Sequence, residues 1–466
     1  MGACAPRTAP RCRPVPVTGA RGRRNVAPPP EVSGNSRRIA MANGPLHGVR
    51  VLEFSQIVAA PFLGCILADL GADVVKVERP EGDPHRLWGS VVPGEAKRFQ
   101  SLNRNKRGIV VDLQQEAGRA LVHRLVPAFD IVTMNYRYGL ARRLGVDYEQ
   151  LRELRPDIIY CELTGWGPDG PLASNGSVDP VATAFAGLIA GEGKLDAWGQ
   201  PATVDCAPLG DLSCALAGAA GVLSALYHRA MTGEGQKVET SLLRSSIALQ
   251  PYEVMREPVS DAVVRDPMIE DVRRVRERGG GYQEVIAARS AVGSDSAAWR
   301  GFHMAYATKD GVVQLGAVTP RTRAGVRELL GITDDPSDDP DFDALDPDSI
   351  AYAETRVAHI REAFASQTTA EIIERFTEAG VPVGPVNLPE ELSDHPQIEA
   401  MGLMAEVEHA VTGPQRVVGP LVTLSKTPSG VRRASPALGA DTDTVLREAG
   451  LSEEEIGQLR SDHVVA

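Results

Sequence analysis

The sequence predicts an α/β fold built around a parallel sheet. Short runs of β-branched residues alternate with helical patterns from Val49 onward. The segments between the predicted strands are long enough to hold a helix, as the crossover between parallel strands requires. With 43% hydrophobic and 24% charged residues, the 466-residue chain also has the composition of an ordinary globular protein. The carboxyl ends of the strands should therefore share one edge, at which a ligand would bind.

The first third of the chain supplies the predicted sheet. Strands are expected at 49–54, 73–78, 109–112, 130–133 and 157–163, and helices at 59–70, 116–126 and 148–154. The loop Ser55–Pro61 after the first strand contains no glycine. Dinucleotide folds need glycines there so that the backbone can approach a pyrophosphate, and NAD and FAD are therefore not expected as cofactors.

Two segments rich in small residues follow a glycine-rich turn at 164–171. The first covers 182–190, and the second covers 212–228 with almost no polar face. The second segment should be a buried helix, for which a counterpart in another subunit is one candidate neighbour. This helix should stop before Thr232–Gly235.

Past residue 255 the pattern changes. A charged stretch at 270–278 leads to three successive glycines, and a hairpin is expected at 306–313. Eight aspartates and three prolines between 334 and 348 indicate a solvated loop, and their spacing does not follow the order of an EF-hand calcium site. Further helices are expected at 354–365 and 369–379, and a loop with a terminal helix at 436–459.

The N-terminal residues 1–43 form an Arg/Pro-rich extension that we expect to be disordered. Residues 1–40 hold eight arginines, one glutamate and seven prolines, a net charge of +7, which leaves −19 for the rest of a chain whose total is −12. Three interpretations stay open. A transit peptide fits the arginines, but the prolines oppose its helix; a basic arm for nucleic acid or membrane lacks aromatics; a dispensable extension would place the start of folding near Met41.

Several function classes lose their sequence support. The six cysteines contain no C-x-x-C pair, the nine histidines no H-x-x-x-H pair, and neither a G-x-S-x-G nor a Walker A sequence occurs. We therefore expect no metal, no disulfide framework and no serine-hydrolase or P-loop chemistry. The acidic net charge and the lack of an apolar run of membrane-spanning length predict a cytoplasmic protein without nucleic-acid or membrane partners.

Asp211 is the candidate catalytic residue that the pattern itself suggests. It stands at the amino end of the apolar helix, after Ala207–Gly210, where an aspartate is ordinarily an N-cap. A capping box would place Glu or Gln three residues later, and Cys214 stands there instead. Helix dipole and backbone N–H groups should keep this carboxylate ionised, as a nucleophile requires.

The chain resembles the class III coenzyme A transferases (CaiB/BaiF type, with formyl-CoA transferase among them) and their relatives, the α-methylacyl-CoA racemases. The resemblance runs from about Gly44 to the C-terminal region and rests on ordered motifs at 46–54, 70–80, 103–107, 165–171, 209–211, 232–236 and 380–387. It implies a Rossmann-like large domain over 44–255 that binds CoA, a smaller α+β domain over 256–385, a return to the large domain over 386–466, and an interlocked homodimer.

The resemblance also implies the chemistry. In the family an aspartate, here Asp211, attacks the donor thioester and later carries CoA as an aspartyl thioester, before a carboxylic acid accepts it. The acyl-CoA is then a substrate, and no cofactor is bound permanently. By motif position the CoA contacts are Gln56, Ile57, Val58, Ala59, Arg79, Lys106, Arg107, Asn135, Tyr136 and Arg143. Any one of these charges could instead be an ordinary solvated surface group.

Two further sites follow from the resemblance. Racemases of this family carry a Gly-His-Asp segment for two-base proton transfer, whereas this chain has Ser177-Val178-Asp179. Val178 carries no proton, which disfavours racemisation, and Asp179 corresponds to an acidic active-site residue of the transferases or is a turn residue before Pro180.

Transferases also close a glycine loop over the intermediate. Gly279, Gly280 and Gly281 are the candidate lid, with a plain linker as the alternative. The sequence thus predicts an acyl-CoA:carboxylate CoA-transferase. A racemase or epimerase and a non-catalytic CoA-binding protein remain as alternatives, and the acyl donor and acceptor acid are not readable.

Overall fold

Six parallel strands form the central sheet of the computed structural model, which describes residues 44–290 and 296–466. The strands are β1 Arg50–Phe54, β2 Asp73–Glu78, β3 Arg107–Val110, β4 Ile131–Met134, β5 Ile159–Thr164 and β6 Lys237–Ser241. Their spatial order is β3-β2-β1-β4-β5-β6. The predicted parallel α/β sheet is confirmed, and β6, which the sequence pattern did not predict, adds its sixth strand.

The direction of winding reverses between β1 and β4. Val51 of β1 pairs with Val74 of β2 on one side and with Ile131 of β4 on the other. The chain therefore builds outward from β1 to β3 and returns to start again at β4. In open parallel sheets, ligands bind at the carboxyl ends of the strands where this reversal occurs.

Helices cover both faces of the sheet, and further helices belong to the parts of the chain that lie away from it. The helices are α1 Ala59–Asp69, α2 Lys97–Leu102, α3 Glu116–Leu125, α4 Leu140–Arg143, α5 Tyr148–Leu154, α6 Asp179–Phe185, α7 Leu188–Gly191, α8 Leu209–Thr232, α9 Leu242–Ala248, α10 Pro251–Val254, α11 Pro258–Ser260, α12 Asp266–Glu277, α13 Tyr282–Ser290, α14 Ser296–Trp299, α15 Pro320–Leu330, α16 Pro347–Ala365, α17 Thr369–Glu378, α18 Pro396–Ala400, α19 Thr442–Glu448 and α20 Glu453–Ser461.

The alternation of side chains along the strands creates two cores. Val51 and Val74 point to the face covered by α1 and α8, where they join Leu63 and Ala215. Leu52 and its neighbours on the other face pack with α3, α5 and the C-terminal helices α19 and α20. The end of the chain thus closes one face of the sheet.

Helix α8 is longer than the sequence pattern predicted. By length and composition alone this 24-residue helix could cross a membrane, with a hydropathy of 1.6 in its most apolar window. It instead packs on the sheet: Gly218 lies against Leu63 of α1 and Cys161 of β5, where an added Cβ would approach Leu63 to 3.2 Å. The expected burial holds for this face, whereas Leu216 and Tyr227 on the opposite face are exposed.

A third hydrophobic core lies away from the sheet and uses only residues between 302 and 383. It forms around a three-stranded antiparallel sheet of β7 Ala305–Ala307, β8 Val312–Leu315 and β9 Val383–Pro385, which contains the expected hairpin. A separate hairpin pairs β10 Met404–His409 with β11 Gly413–Val418. The boundaries of the expected domains stay a prediction, and the extension 1–43 lies outside the described residues.

The aspartate-rich loop is mainly exposed, as the sequence predicts, but two of its aspartates are held in ion pairs. The side chains of Asp335 and Arg356 are both fully buried and pair at 3.0 Å. Asp338 pairs with Arg323 and Arg327 of α15. Because buried carboxylates need such partners, these aspartates fix the loop to the helices beside it.

Candidate active site

The loops after β1 and β4 meet at the point where the sheet reverses. Asn135, directly after β4, donates from Nδ2 to the Gln56 carbonyl at 2.7 Å and accepts the Gln56 N–H at 3.0 Å through Oδ1. This pair of hydrogen bonds joins the two loops at the edge that the topology assigns to a ligand. Asn135 therefore orients Gln56 with both ends of its amide.

A cleft of about 410 Å³ opens beside this junction. Its walls come from the carboxyl ends of β1 to β4 and include Gln56, Glu78, Arg79, Leu113, Gln114 and Tyr136. The sequence analysis named Gln56, Arg79 and Tyr136 but missed Leu113 and Gln114, because neither residue carries a charge and their place at the end of β3 depends on strand order. The cleft gathers both polar and apolar groups.

Arg79 is the cation that this cleft offers. Its side chain is 59% exposed, and its Nε donates to the Gly82 carbonyl at 3.0 Å while Glu81 lies 3.7 Å away. The other guanidinium nitrogens make no hydrogen bond within the described structure, so they can serve an anionic ligand. Burial raises the pKa of Tyr136 to about 12 despite the opposing charge of Arg79, so its hydroxyl stays a neutral donor.

Ile57, Val58 and Ala59 continue the loop into α1. The side chains of Val58 and Ala59 are buried, and that of Ile57 is half-buried. Contacts of Val58 and Ala59 with a ligand would thus come from their backbones. Arg143, in the last turn of α4, is exposed and without an ion pair in the part of the chain that the structure describes.

Lys106 departs from the expectation that it faces the cofactor. Its side chain is fully buried, and its ammonium donates to Glu53 at 2.9 Å, the Pro61 carbonyl at 2.7 Å and Asn103 at 2.8 Å. Burial lowers the pKa of this amine, although Glu53 opposes the shift. All three N–H groups of Lys106 have partners in the interior, so the residue anchors the start of β3.

Arg107 also departs from that expectation, because it lies at the opposite edge of the sheet. It begins β3 and pairs with Asp73 at 2.5 Å and Glu448 at 2.7 Å. Asp73 is the first residue of β2, so this edge carries the amino ends of the strands. Parallel sheets bind ligands at the carboxyl ends, and Arg107 instead ties the C-terminal helix α19 to the sheet.

Arg104 and Asn105 precede Lys106 and Arg107 in the chain. Their contacts explain why the motif at 103–107 is rich in polar residues. Arg104 pairs with Asp69 at the end of α1 at 2.6 Å. Asn105, with φ +64°, donates to Asp69 at 2.7 Å and to the Gly430 carbonyl at 2.8 Å, and accepts the Arg432 N–H at 2.6 Å. The motif therefore joins α1 to the C-terminal segment.

Asp211 and Asp179 meet at the start of α8. Helix α8 begins at Leu209, and Asp211 is its third residue rather than the N-cap that the sequence predicts. The Asp179 carboxylate accepts the backbone N–H of Asp211 at 2.9 Å. Asp179 thus supplies from α6 the side-chain acceptor that an N-cap residue would have given.

Gly210 makes this approach possible. A Cβ at this position would lie 2.8 Å from Asp179 Oδ1 and 3.0 Å from Ser246 Oγ, both closer than carbon atoms tolerate. In the Leu209-Gly210-Asp211 motif, Gly210 therefore leaves space for the Asp179 carboxylate, and Asp211 supplies the second carboxylate. Sequence reasoning recognised the motif but not the steric reason for its glycine.

The ionisation of Asp211 contradicts the expectation that the helix keeps it charged. Burial, and next the neighbouring charge of Asp179, raise the pKa of Asp211 to about 7. Desolvation and repulsion both favour the protonated acid, and here they outweigh the helix dipole. The ionised form of Asp211 is therefore destabilised in the folded protein.

Three buried hydroxyl groups that no sequence pattern predicted lie near the first turns of α8. Thr240, Ser245 and Ser246 lie at the junction of β6 and α9, and their side-chain oxygens are buried without a hydrogen-bond partner in the described structure. Ser246 borders Gly210, and burial raises the pKa of the nearby Cys214 thiol to about 12, so this thiol stays neutral. Because β6 itself was not predicted, no sequence pattern placed these residues near Asp211.

The candidate lid glycines lie apart from both the cleft and the Asp179–Asp211 pair. Gly279–Gly281 form the turn between α12 and α13, which pack through Val272, Val275 and Val285. Gly279 has φ +74° there, as helix ends often require. A closing movement of these glycines stays a prediction.

Asp211 does not line the cleft that contains Arg79. The described residues contain no group of three or more metal-ligating side chains placed to hold an ion.

The sequence over residues 46–442 matches the family described as CoA-transferase family III. The chain belongs to this family. The carboxylate pair at the start of α8 and the cleft at the strand ends are thus features of a CoA-transferase, and the resemblance inferred from the motifs is confirmed.

Named relatives resemble this CoA-transferase along most of their length. An acyl-CoA transferase of Fusarium pseudograminearum is 32% identical over 438 residues, covering 91% of this chain and 89% of that protein. The succinyl-CoA:glutarate CoA-transferase of Homo sapiens is 30% identical over 443 residues, covering 90% of both chains. The succinate–glutarate CoA-transferase of Agrobacterium fabrum is 31% identical, covering 87% of this chain and 95% of that protein.

Solved structures share the fold of this CoA-transferase. A CaiB/BaiF family protein of Brucella suis superposes with a TM-score of 0.66 at 26% identity, over 87% of this chain and 100% of that one. The protein Rv3272 of Mycobacterium tuberculosis gives a TM-score of 0.68 at 26% identity, over 86% of this chain and 99% of that one. The α/β architecture described above is thus that of the family.

Proposed function

We propose that this CoA-transferase moves CoA from an acyl-CoA donor to a small carboxylic acid through a covalent aspartyl-CoA intermediate on Asp211. The observation that carries the proposal is the contact between Asp179 and the Asp211 backbone at the start of α8. Covalent catalysis needs a reactive nucleophile, and the raised pKa of Asp211 marks an anion that forming a covalent bond would relieve.

The reaction proceeds in four balanced steps. The Asp211 carboxylate attacks the carbonyl carbon of the donor thioester, and the C–S bond breaks to leave a mixed anhydride and the CoA thiolate. The thiolate attacks the Asp211 carbonyl carbon and releases the donor acid. The acceptor carboxylate then attacks the aspartyl thioester, releasing the thiolate again. Finally the thiolate attacks the acceptor acyl carbon and regenerates the Asp211 carboxylate.

The surroundings of Asp211 support this sequence. Asp179 fixes the backbone at Asp211 through its hydrogen bond, which limits the directions from which the carboxylate can attack. Partial burial restricts water, and anhydrides survive only where water is excluded. Val178, the N-cap residue of α6 next to Asp179, carries no ionisable group, so the position at which the related racemases carry a histidine cannot transfer a proton.

CoA recognition is proposed at the cleft. Arg79 offers free guanidinium nitrogens to a phosphate, Tyr136 offers a neutral hydroxyl, and Arg143 adds a cation on nearby α4. The acidic net charge of −12 would repel an anionic ligand at long range, so local cations at the strand ends must provide the attraction.

A dicarboxylic acid is the proposed acceptor and succinyl-CoA the proposed donor. Relatives with about 30% identity are named as succinyl-CoA transferases whose acceptors are glutarate or L-malate. These acids share two carboxylates on a short carbon chain, so the acceptor of this enzyme is expected to share that chemistry.

A homodimer is proposed through the exposed face of α8. Leu216, Leu223, Tyr227 and Met231 follow one helical stripe and are 38–71% exposed. An apolar stripe of this length on a central helix is typical of a subunit interface. A second copy packed there would cover the stripe on α8, the helix that also carries Asp211.

Trapping of the intermediate tests the mechanism. The enzyme is incubated with succinyl-CoA, quenched with hydroxylamine, digested and analysed by mass spectrometry. A hydroxamate on Asp211 in the wild type, and none in Asp211→Asn, is the expected result. Turnover of donor and acceptor without any adduct on Asp211 would refute the covalent route. Incorporation of solvent deuterium at the α-carbon without an acceptor acid would identify a racemase instead.

A further inference from the structure

The loop between β1 and α1 holds an unusual backbone conformation. Ile57 has φ +70°, in the left-handed region that β-branched residues avoid. For an L-amino acid this conformation costs about 1–2 kcal/mol, so surrounding groups must impose it. We call residues 55–58 the anchored loop, because each of its first three residues is fixed by a different part of the chain.

Asp83 fixes Ile57. Both oxygens of its carboxylate lie 3.2 Å from the Ile57 N–H, which donates to them, and Asp83 Oδ1 also accepts the His85 N–H at 2.9 Å. Asp83 is only 3% exposed, so water cannot replace it. The N–H of the strained residue therefore depends on a single buried carboxylate.

A buried lysine fixes Ser55 and Asp83 together. The Lys76 ammonium lies 3.1 Å from Asp83 and donates at 2.9 Å to both the carbonyl and the hydroxyl of Ser55. Lys76 also lies 3.6 Å from Glu53, which pairs with Lys106 at 2.9 Å. All four charged side chains are fully buried, two acids against two amines, so the chain of contacts is electrically balanced.

Gln56, between these two fixed residues, is held by Asn135 and lines the cleft beside Arg79. The wall of the cleft therefore inherits its shape from contacts made by Ser55 and Ile57. If the Ile57 N–H lost its acceptor, the residue would relax to a right-handed or extended conformation, and the Gln56 carbonyl and the amino end of α1 would turn with it.

We propose that Asp83, neutralised by Lys76, is a positioning residue that shapes the CoA site by holding Ile57 in the left-handed conformation. The proposal rests on the proposed role of the cleft as the CoA site. Asp83 lines none of that cleft and acts only through Ile57 and Gln56. Its effect is on the shape of the binding surface and not on the chemical step.

Four variants test this role through CoA binding by isothermal titration calorimetry. Asp83→Asn should weaken CoA affinity about tenfold, because the single oxygen of an asparagine cannot serve both the buried Lys76 ammonium and the Ile57 N–H, so the cost of the left-handed residue is no longer fully offset. Adding Ile57→Gly should restore most of that affinity, since glycine adopts this conformation without steric cost. Ile57→Gly alone gives the reference affinity for the double variant, and Asp83→Asn should cost it less CoA affinity than it costs the wild type.

Asp69→Asn is the matched control. Asp69 is also 3% exposed and pairs with a buried cation, Arg104, but it lies at the far end of α1. This variant should lose thermal stability as Asp83→Asn does and yet keep CoA affinity. Amide hydrogen exchange adds a local readout: the peptide containing Ile57 should lose protection in Asp83→Asn only.

The outcomes separate the two proposals. If the wild type shows no CoA binding at the cleft, and Arg79→Ala behaves in the same way, the proposed function is refuted. Normal wild-type binding with unchanged affinity in Asp83→Asn would refute the role of Asp83 alone. Weakened binding that Ile57→Gly does not restore would show that Asp83 contributes by general stability, and would equally overturn the proposal.

Discussion

Two carboxylates, those of Asp179 and Asp211, come together at the start of α8. Asp179 accepts from the Asp211 backbone, while the Asp211 side chain is left partly buried with a raised pKa. The ionised form of Asp211, the proposed nucleophile, therefore destabilises the folded protein. Natural active sites often trade stability for reactivity in this way.

Replacement of Asp211 by Asn should abolish transfer and stabilise the fold. The folded-state pKa of about 7 lies above the unfolded value, so the acid ionises more easily when the chain unfolds. The contribution of Asp211 to stability therefore falls as pH rises from about 4 to 7 and is constant above that range. Asp211→Asn should be more stable by about 1–3 kcal/mol at pH 8 and equally stable at pH 4.

Chemical denaturation at the two pH values measures this difference. A circular-dichroism spectrum like that of the wild type is the control for correct folding. Equal stability of the two proteins at pH 8 would mean that Asp211 is not destabilised in the folded state.

The pH profile of transfer should report the same repulsion. In the proposed mechanism the Asp211 carboxylate is the nucleophile, so kcat/KM should fall about tenfold per pH unit below 7. Asp179→Asn keeps an oxygen for the Asp211 N–H but removes the negative charge, so the pKa of Asp211 should drop and the acid limb should move to lower pH. The test is the pH profile of kcat/KM, measured with one acyl-CoA for the wild type and for Asp179→Asn. If the acid limb does not move, a group other than Asp211 causes it.

At the scale of elements, glycines decide how closely α8 can approach its neighbours. Gly218 lets α1 pack on its middle, and Gly210 lets α6 bring Asp179 to its start. Both are buried, and both lie in a helix where glycine costs about 1 kcal/mol relative to alanine. The cost is tolerated because the approach of another element needs the space.

Gly210→Ala should separate the carboxylate pair. Its Cβ would lie 2.8 Å from Asp179 Oδ1, so Asp179 must withdraw from the Asp211 N–H. We expect kcat to fall at least about tenfold, since a small misplacement of reacting groups has effects of this size.

Gly457→Ala in α20 is the matched control for this change. An added Cβ there meets nothing within 4 Å, so the variant should keep full activity and gain stability. Steady-state kinetics and thermal unfolding of both variants provide the comparison. Full activity in Gly210→Ala would refute the steric account of the motif.

At the scale of the whole molecule, the apolar stripe on α8 is a feature that packing within the single chain leaves unexplained. The face that packs on the sheet is continuous with the core, but Leu223 and Tyr227 point outward. The proposed second copy would bury this stripe and bring two helices that carry Asp211 together.

Leu223→Glu should therefore convert a dimer to a monomer and reduce transfer activity, because a charge cannot be buried in an apolar interface without a partner. Leu154→Glu is the control: Leu154 has the same 38% exposure but lies in α5, on the opposite face of the sheet. Light scattering after gel filtration measures the mass of each. A dimeric Leu223→Glu would exclude this stripe as the interface.

Local sequence patterns were sufficient for the elements whose residues lie close together in the chain. Strand β2 and helix α5 have the predicted bounds, because β-branched runs and apolar spacing act within a few residues. The motifs also identified the family and singled out Asp211 without any knowledge of its neighbours. These features depend on the chain's own order of residues.

Only the tertiary structure decided which charges are free to meet a ligand. Lys106 and Arg107 look like Arg79 in the sequence, but one is buried against Glu53, one pairs across the opposite edge of the sheet, and only Arg79 faces the cleft. The nearness of Asp179 to Asp211, and so the raised pKa of Asp211, likewise depends on residues 32 positions apart. Electrostatics follows distance and burial in space, and no local pattern in the chain encodes either.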